Sequence, residues 1–175
     1  MGKLKKGYVQ VYTGDGKGKT TAAFGLALRA AGNDLKVFIA QFIKGLKYCE
    51  IKAIEKLNGN ITVKQYGRGC FIKDKPARED VIAAADGLNE VTKVVSSGKY
   101  DLVILDEISI ALYFKLLTLQ DVLGLIEIKP DNVELVLTGR RAEKEIIDRA
   151  DLVTEMREIK HYFNKGVLAR KGIER

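Results

Sequence analysis

The sequence has no tryptophan, one histidine, two cysteines and two prolines in 175 residues. A single histidine, His161, excludes a metal centre built from histidines. Cys49 and Cys70 have no metal-ligand spacing, and a reducing compartment leaves them unpaired. No apolar run approaches the ~20 residues that a membrane-spanning helix needs. The opening stretch Met1-Gly2-Lys3-Leu4-Lys5-Lys6 is basic but lacks the apolar core and cleavage site of a signal peptide, so a cytoplasmic location is expected. Repeats, linkers and low-complexity segments are missing as well, and the length fits one ordinary domain spanning 1–175.

With 46% hydrophobic and 30% charged residues, the composition is that of a globular protein with a full core. The net charge of +7 is spread along the chain apart from the termini. An anionic small ligand is enough to account for it, and neither nucleic acid nor membrane is expected as a partner.

The most informative stretch is Thr13-Gly14-Asp15-Gly16-Lys17-Gly18-Lys19-Thr20-Thr21, which follows the apolar run Tyr8 to Tyr12 and opens an alanine-rich helix. This is strand, glycine loop, helix. Glycines let amide N–H groups converge on phosphate oxygens, and the helix start adds unpaired N–H groups and its positive dipole end. Lys19 brings a charge to the phosphates, and the hydroxyl of Thr20 is placed to ligate magnesium. The first glycine falls at Gly14, one residue later than in the common G-x-x-x-x-G-K-[ST] spacing.

Further along, strands are expected at Leu35 to Gln41, Ile61 to Gln65, Leu102 to Leu105, Val133 to Leu137 and Leu152 to Met156. Helices are expected over Thr20 to Ala31, Tyr48 to Leu57, Arg78 to Ser97, Ile108 to Leu117, Leu119 to Ile128 and Glu143 to Ala150. Gly32 is positioned as a left-handed cap, and Thr118 with Asp121 as an N-terminal cap. The alternation of strand and helix predicts an α/β fold with a mostly parallel sheet and helices on both faces.

In such sheets ligands gather beyond the carboxyl ends of strands. Four features sit there. Gln41 and Lys44 end one strand, and Arg140 follows Thr138-Gly139 at another. Asp106 and Glu107 end the buried run Leu102 to Leu105, where carboxylates beside a phosphate loop are the expected magnesium partners. Asp106 could instead cap the next helix while Glu107 faces the metal. The loop Tyr66 to Pro76 carries glycines, cations and bulky side chains, and is long for a plain connection.

The segments TGDGKGKTTAAFGLALRA, VFIAQFIKG, LVILDEISIAL, LVLTGR and DLVTEMREIKHYFNKGVLARKGIE together resemble the bacterial ATP:corrinoid adenosyltransferases, which act on cob(I)alamin or cob(I)yrinic acid a,c-diamide. The resemblance covers nearly the whole chain. It implies a phosphate-loop, RecA-like fold and transfer of the 5′-deoxyadenosyl group of ATP to Co(I), releasing triphosphate. It also implies ATP held in the reverse sense to an ordinary ATPase, so that C5′ faces the cobalt. The implied catalytic residues are Lys19, Thr20 and Glu107, with metal held by Thr20, Glu107 and Asp106. Nucleotide or corrinoid contacts are expected from Gly14, Asp15, Gly16, Lys17, Gly18, Lys19, Thr20, Thr21, Gln41, Tyr66, Phe71 and Arg140. The expected cofactor is Mg2+ or Mn2+. The expected partners are ATP, a corrinoid and a flavoprotein reductant, and the expected assembly is a homodimer.

Three features depart from the family pattern. Asp15 stands where Asn is more usual. Some members carry a leading helix that helps close the corrinoid pocket, whereas here the first strand starts at Tyr8. Gly69-Cys70-Phe71-Ile72 replaces a G-F-x-W pattern in the corrin-facing loop. The segment Tyr66 to Pro76 is nevertheless expected to be the corrinoid lid, with Gly67 and Gly69 permitting movement and Arg68, Lys73 and Lys75 meeting the corrin amides. Two rival readings are a phosphate-loop NTPase or kinase, and a binding module in which ATP gates attachment without turnover.

Overall fold

A computed structural model describes residues 4–46, 48–56, 59–69, 72 and 75–174. Six strands are present: β1 (Val9–Thr13), β2 (Val37–Phe42), β3 (Ile61–Tyr66), β4 (Leu102–Asp106), β5 (Glu134–Thr138) and β6 (Leu152–Glu155). They form one sheet in the order β3-β2-β4-β5-β1-β6, and every pairing is parallel. The α/β expectation holds, and all six strands fall within two residues of their expected bounds.

Period-two alternation divides the core. Phe38, Ala40, Val103, Leu105, Leu135 and Leu137 point to one face, which is covered by α3 (Arg78–Ser96), α4 (Ile108–Tyr113), α5 (Leu119–Glu127) and α6 (Lys144–Arg149). Val37, Ile39, Leu102, Ile104 and Val136 point to the other, which is covered by α1 (Lys19–Ala31) and by Ile54 of α2 (Cys49–Ile54). Strands covered on both faces read as apolar runs, as β2 does up to Gln41 and β4 up to Asp106, and both are buried throughout.

Three local expectations need correction. Gly32 keeps a right-handed conformation at φ −65°, and Asp34 takes the left-handed one at φ 59°. The N–H of Leu35 then donates to the Ala30 carbonyl, so the turn closes later than the glycine indicated. α4 stops at Tyr113, not Leu117. Lys115 goes left-handed at φ 56°, which turns Leu116 and Leu117 into the core. Asp106 does not cap α4: Glu107, at φ 62°, is the capping residue, and Asp106 remains in β4. The Thr118 cap is as expected, with Asp121 N–H donating to the Thr118 hydroxyl at 3.2 Å.

Because all strands run the same way, their carboxyl ends share one edge of the sheet. That edge carries the Gly14–Gly18 loop, Gln41 to Lys44, Asp106 with Glu107, Arg140, and Met156 beyond β6.

Candidate active site

The glycine loop is bent by Gly14 at φ 92° and Gly18 at φ 120°, conformations that side chains with a Cβ rarely adopt. Gly14 and Gly16 also meet a close neighbour. A Cβ on either would lie 2.5 or 2.7 Å from the Met156 carbonyl oxygen, and the Gly16 N–H donates to that oxygen at 2.6 Å. The loop is therefore held against the chain leaving β6. No side chain caps the start of α1 at Gly18, so its first turn faces the cavity with backbone N–H groups.

Lys19 is buried and curls back over the loop, donating to the carbonyls of Gly14 at 2.6 Å and Gly16 at 2.7 Å. Burial lowers its pKa, partly offset by the Glu107 charge. The next residue, Thr20, donates to Asp106 Oδ1 at 2.9 Å.

Asp106 has no exposed surface and is the hub of the site. Its Oδ1 also accepts from Thr138 at 2.8 Å, while Oδ2 accepts from Gln41 at 3.0 Å and from Lys44 at 2.8 Å. Gln41 in turn accepts from Gln65 at 3.0 Å. The sheet order makes this possible, since β2 pairs with β4 in a register that puts Gln41 opposite Asp106. Glu107 lies beside the hub, and its backbone N–H donates to Thr138 at 3.0 Å. Burial and then the Asp106 charge raise its pKa above the usual carboxylate value, against Lys44, Lys19 and Arg140.

Lys19, Thr20, Lys44 and Glu107 line a cavity of about 760 Å³, with Asp106 buried behind them. The loop forms one end, with Asp15, Lys17, Thr21, Lys44, Glu107 and Arg140 around it, and Phe24, Leu28 and Ala53 form an apolar side. Among the described residues no group of three or more His, Cys, Asp or Glu side chains could hold a metal ion alone. At the loop end the oxygen donors nearest one another are Thr20, Asp106 and Glu107, all hard. That set suits magnesium or manganese, ions that complete their shell with water and substrate phosphate.

Not every expected site residue reaches the cavity. Gln41 is fully buried behind Asp106 and supports it. Tyr66 turns its hydroxyl to Glu90 of α3 at 2.9 Å and packs its ring on Phe42, away from the cavity walls. Arg68 is paired with Glu79 at 3.0 Å. Gly67 serves close approach, since a Cβ on it would lie 2.3 Å from the Ile43 backbone, and a Cβ on Gly45 would lie 2.2 Å from Gly69 N; Gly69 itself takes the left-handed conformation at φ 81°. At Gly67 and Gly69 the segment lies against the backbone of Ile43 and Gly45, in the loop that bears Lys44. Phe71, Cys70, Lys73 and Asp74 lie outside the described residues.

Two contributions went unread in the sequence. Lys44 stands near a strand end in the sequence, but its place inside the acidic hub depends on the β2–β4 neighbourhood. The tail also closes one wall, through His161, Gly172, Ile173 and Glu174. Lys17 donates to the Ile173 carbonyl at 3.3 Å and lies 3.6 Å from Glu174. Glu174 is clasped by Arg170 at 3.0 Å and by the Tyr162 hydroxyl, which hold its carboxylate well below the usual range.

Residues 5–175 match the family described as ATP:corrinoid adenosyltransferase BtuR/CobO/CobP. The chain is 36% identical over 172 residues to the corrinoid adenosyltransferase of Escherichia coli strain K12, covering 97% of this chain and 86% of that protein. It is 34% identical over 171 residues to the corrinoid adenosyltransferase of Pseudomonas aeruginosa, covering 97% of this chain and 84% of that one. It is 35% identical over 172 residues to the corrinoid adenosyltransferase CobA of Salmonella typhimurium, covering 97% and 86%.

Proposed function

This chain belongs to the ATP:corrinoid adenosyltransferase family, and we propose that its cavity seats the triphosphate of ATP on the Gly14–Thr21 loop and presents ribose C5′ to the corrinoid. The activity is transfer of the 5′-deoxyadenosyl group from ATP to the Co(I) of a corrinoid. The Co(I) electron pair forms the Co–C5′ bond. The C5′–O bond breaks, and its electron pair leaves on the oxygen of triphosphate.

A substitution of this kind needs alignment of nucleophile and carbon, and stabilisation of a highly charged leaving group. Lys19, Lys17 and Arg140 carry the positive charge around the loop, with the amides of Gly16 to Thr21 as donors. Thr20, Asp106 and Glu107 are the residues that would hold Mg2+, or Mn2+ in its place. The ion would neutralise charge on the departing triphosphate. Gln41 and Thr138 orient Asp106, and Gln65 fixes Gln41.

The observation that carries this reading is the junction of Lys19, Thr20 and Asp106 at one edge of a parallel sheet, opening on a cavity with both cationic and apolar walls. The segment Tyr66 to Pro76 is assigned to the corrin side. Its support is the contact of Gly69 with Gly45, which joins it to the loop bearing Lys44. Phe71 is its proposed apolar contact with the ring. A flavoprotein reductant, a homodimer and a cytoplasmic location complete the proposal; no helix among the described residues is long and apolar enough to cross a membrane.

Phosphorus NMR of the reaction with reduced corrinoid, ATP and magnesium tests the assignment of the leaving group. Triphosphate as the first product supports it. ADP and phosphate in its place would make the site that of a phosphoryl-transfer enzyme.

A further inference from the structure

The Lys44 ammonium lies among the side chains assigned above to the metal. Its Nζ is 2.8 Å from Asp106 Oδ2, 3.0 Å from Thr20 Oγ1 and 4.0 Å from Glu107 Oε1. The side chain is 18% exposed, and the Tyr48 ring stands 5.8 Å from the ammonium. The backbone is bent to bring it there. Ile43 has φ 66°, and the Lys44 N–H donates two residues back to the Phe42 carbonyl at 2.6 Å. That is a γ-turn of the rare positive-φ kind, at a β-branched residue. Strain of this sort persists where the surrounding structure enforces it, commonly at functional sites.

A buried carboxylate such as Asp106 needs a compensating charge when no metal is bound. Lys44 supplies it. An ammonium and a divalent ion cannot share the position. An ion about 2.1 Å from oxygens of Thr20 and Asp106 would overlap an amine that is itself in hydrogen-bond contact with both. Lys44 also lines the cavity, so its way out leads toward the phosphate-binding end.

We infer that Lys44 is a built-in cation that occupies the metal position in the nucleotide-free enzyme and yields it when triphosphate arrives to receive the ammonium. The inference rests on the assignment of the metal to Thr20, Asp106 and Glu107. It makes metal and nucleotide binding cooperative: the metal alone competes with Lys44, whereas with ATP present the displaced ammonium gains a new anionic partner. Lys44 is then a positioning residue that couples the two ligands, and the coupling is reciprocal.

The test is Mn2+ binding followed by electron paramagnetic resonance, with and without ATP, in the wild type, Lys44→Met and Thr20→Val. Without nucleotide, Lys44→Met should bind Mn2+ about tenfold tighter than the wild type, and ATP should enhance its Mn2+ binding correspondingly less. Lys44→Gln, which keeps a donor toward Asp106, should behave likewise and serves if Lys44→Met does not fold. In thermal denaturation without nucleotide, Mn2+ should raise the melting temperature of the Lys44 variants more than that of the wild type. Equal nucleotide-free Mn2+ affinity in wild type and Lys44 variants overturns the inference while leaving the metal assignment standing. Mn2+ binding in the ATP complex that is unchanged by Thr20→Val overturns the metal assignment and the inference with it.

Discussion

Thr20 and Asp106 lie 86 residues apart in sequence, and the Thr20 hydroxyl donates to Asp106 Oδ1 at 2.9 Å. The contact joins the first turn of α1 to the end of β4, although β5 separates β4 from the loop-bearing strand in the sheet. It brings the glycine loop and the acidic end of β4 into direct contact. Such preorganisation is what electrostatic stabilisation of a leaving group requires.

Lys19→Ala tests the phosphate end. Loss of two charge-assisted hydrogen bonds at ~1.5–3 kcal/mol each corresponds to two or more orders of magnitude. Steady-state kinetics should show kcat/KM for ATP reduced by that much, with a cooperative melt retained. Turnover near that of the wild type in a folded variant contradicts the role.

The acidic pair should divide by environment. Asp106 accepts from four side-chain donors, two on each oxygen. In Asp106→Asn an amide group replaces one acceptor and faces donors, at a cost of ~1–3 kcal/mol for each group left unpaired. Asp106→Asn should therefore lower both stability and magnesium affinity. Glu107→Gln should lower magnesium affinity alone, with activity partly recovered at high magnesium. Urea melts and magnesium titrations distinguish the two, and a stability loss confined to Glu107→Gln would reverse the assignment.

The contrast between these carboxylates shows where sequence reading stopped. The six strands were legible because strands buried on both faces leave apolar runs bounded by turns. Lys19, Thr20 and Asp106 were legible because a phosphate loop and an acidic strand end each have a local signature. Lys44 was not: its role follows from β2 lying beside β4, a long-range pairing with no local mark. The tail residues Ile173 and Glu174 reach the cavity only through the path of the chain after β6. The close approach of Gly67 to the Ile43 backbone left no mark in the sequence, because glycine in a loop serves motion or close packing alike and only the folded path shows what lies beside it.

Glu107 also predicts a pH dependence. Burial and the Asp106 charge raise its folded pKa above the ordinary 4.5, while Lys44, Lys19 and Arg140 oppose the rise. Between the ordinary and the raised value the folded chain binds more protons than the unfolded one, so this residue's contribution to stability falls as pH rises through that window. The urea midpoint of the ligand-free wild type should fall with pH across it relative to Glu107→Gln. Parallel profiles for the two proteins would contradict the prediction.

Lys17 is held by the tail through Ile173 and Glu174. To serve the triphosphate it must leave them. The pair is solvent-screened and long at 3.6 Å, so Glu174→Gln should tighten binding of inorganic triphosphate by no more than a few-fold. Isothermal titration measures it. Weaker binding in Glu174→Gln would show instead that the tail supports the loop.

The most direct measurement is the visible spectrum of an anaerobic mixture of this protein, ATP, magnesium and a chemically reduced corrinoid. The account predicts conversion of the Co(I) spectrum to that of the alkylated, light-sensitive adenosylcorrinoid, one equivalent for each ATP consumed. Consumption of ATP while the Co(I) spectrum persists would contradict it.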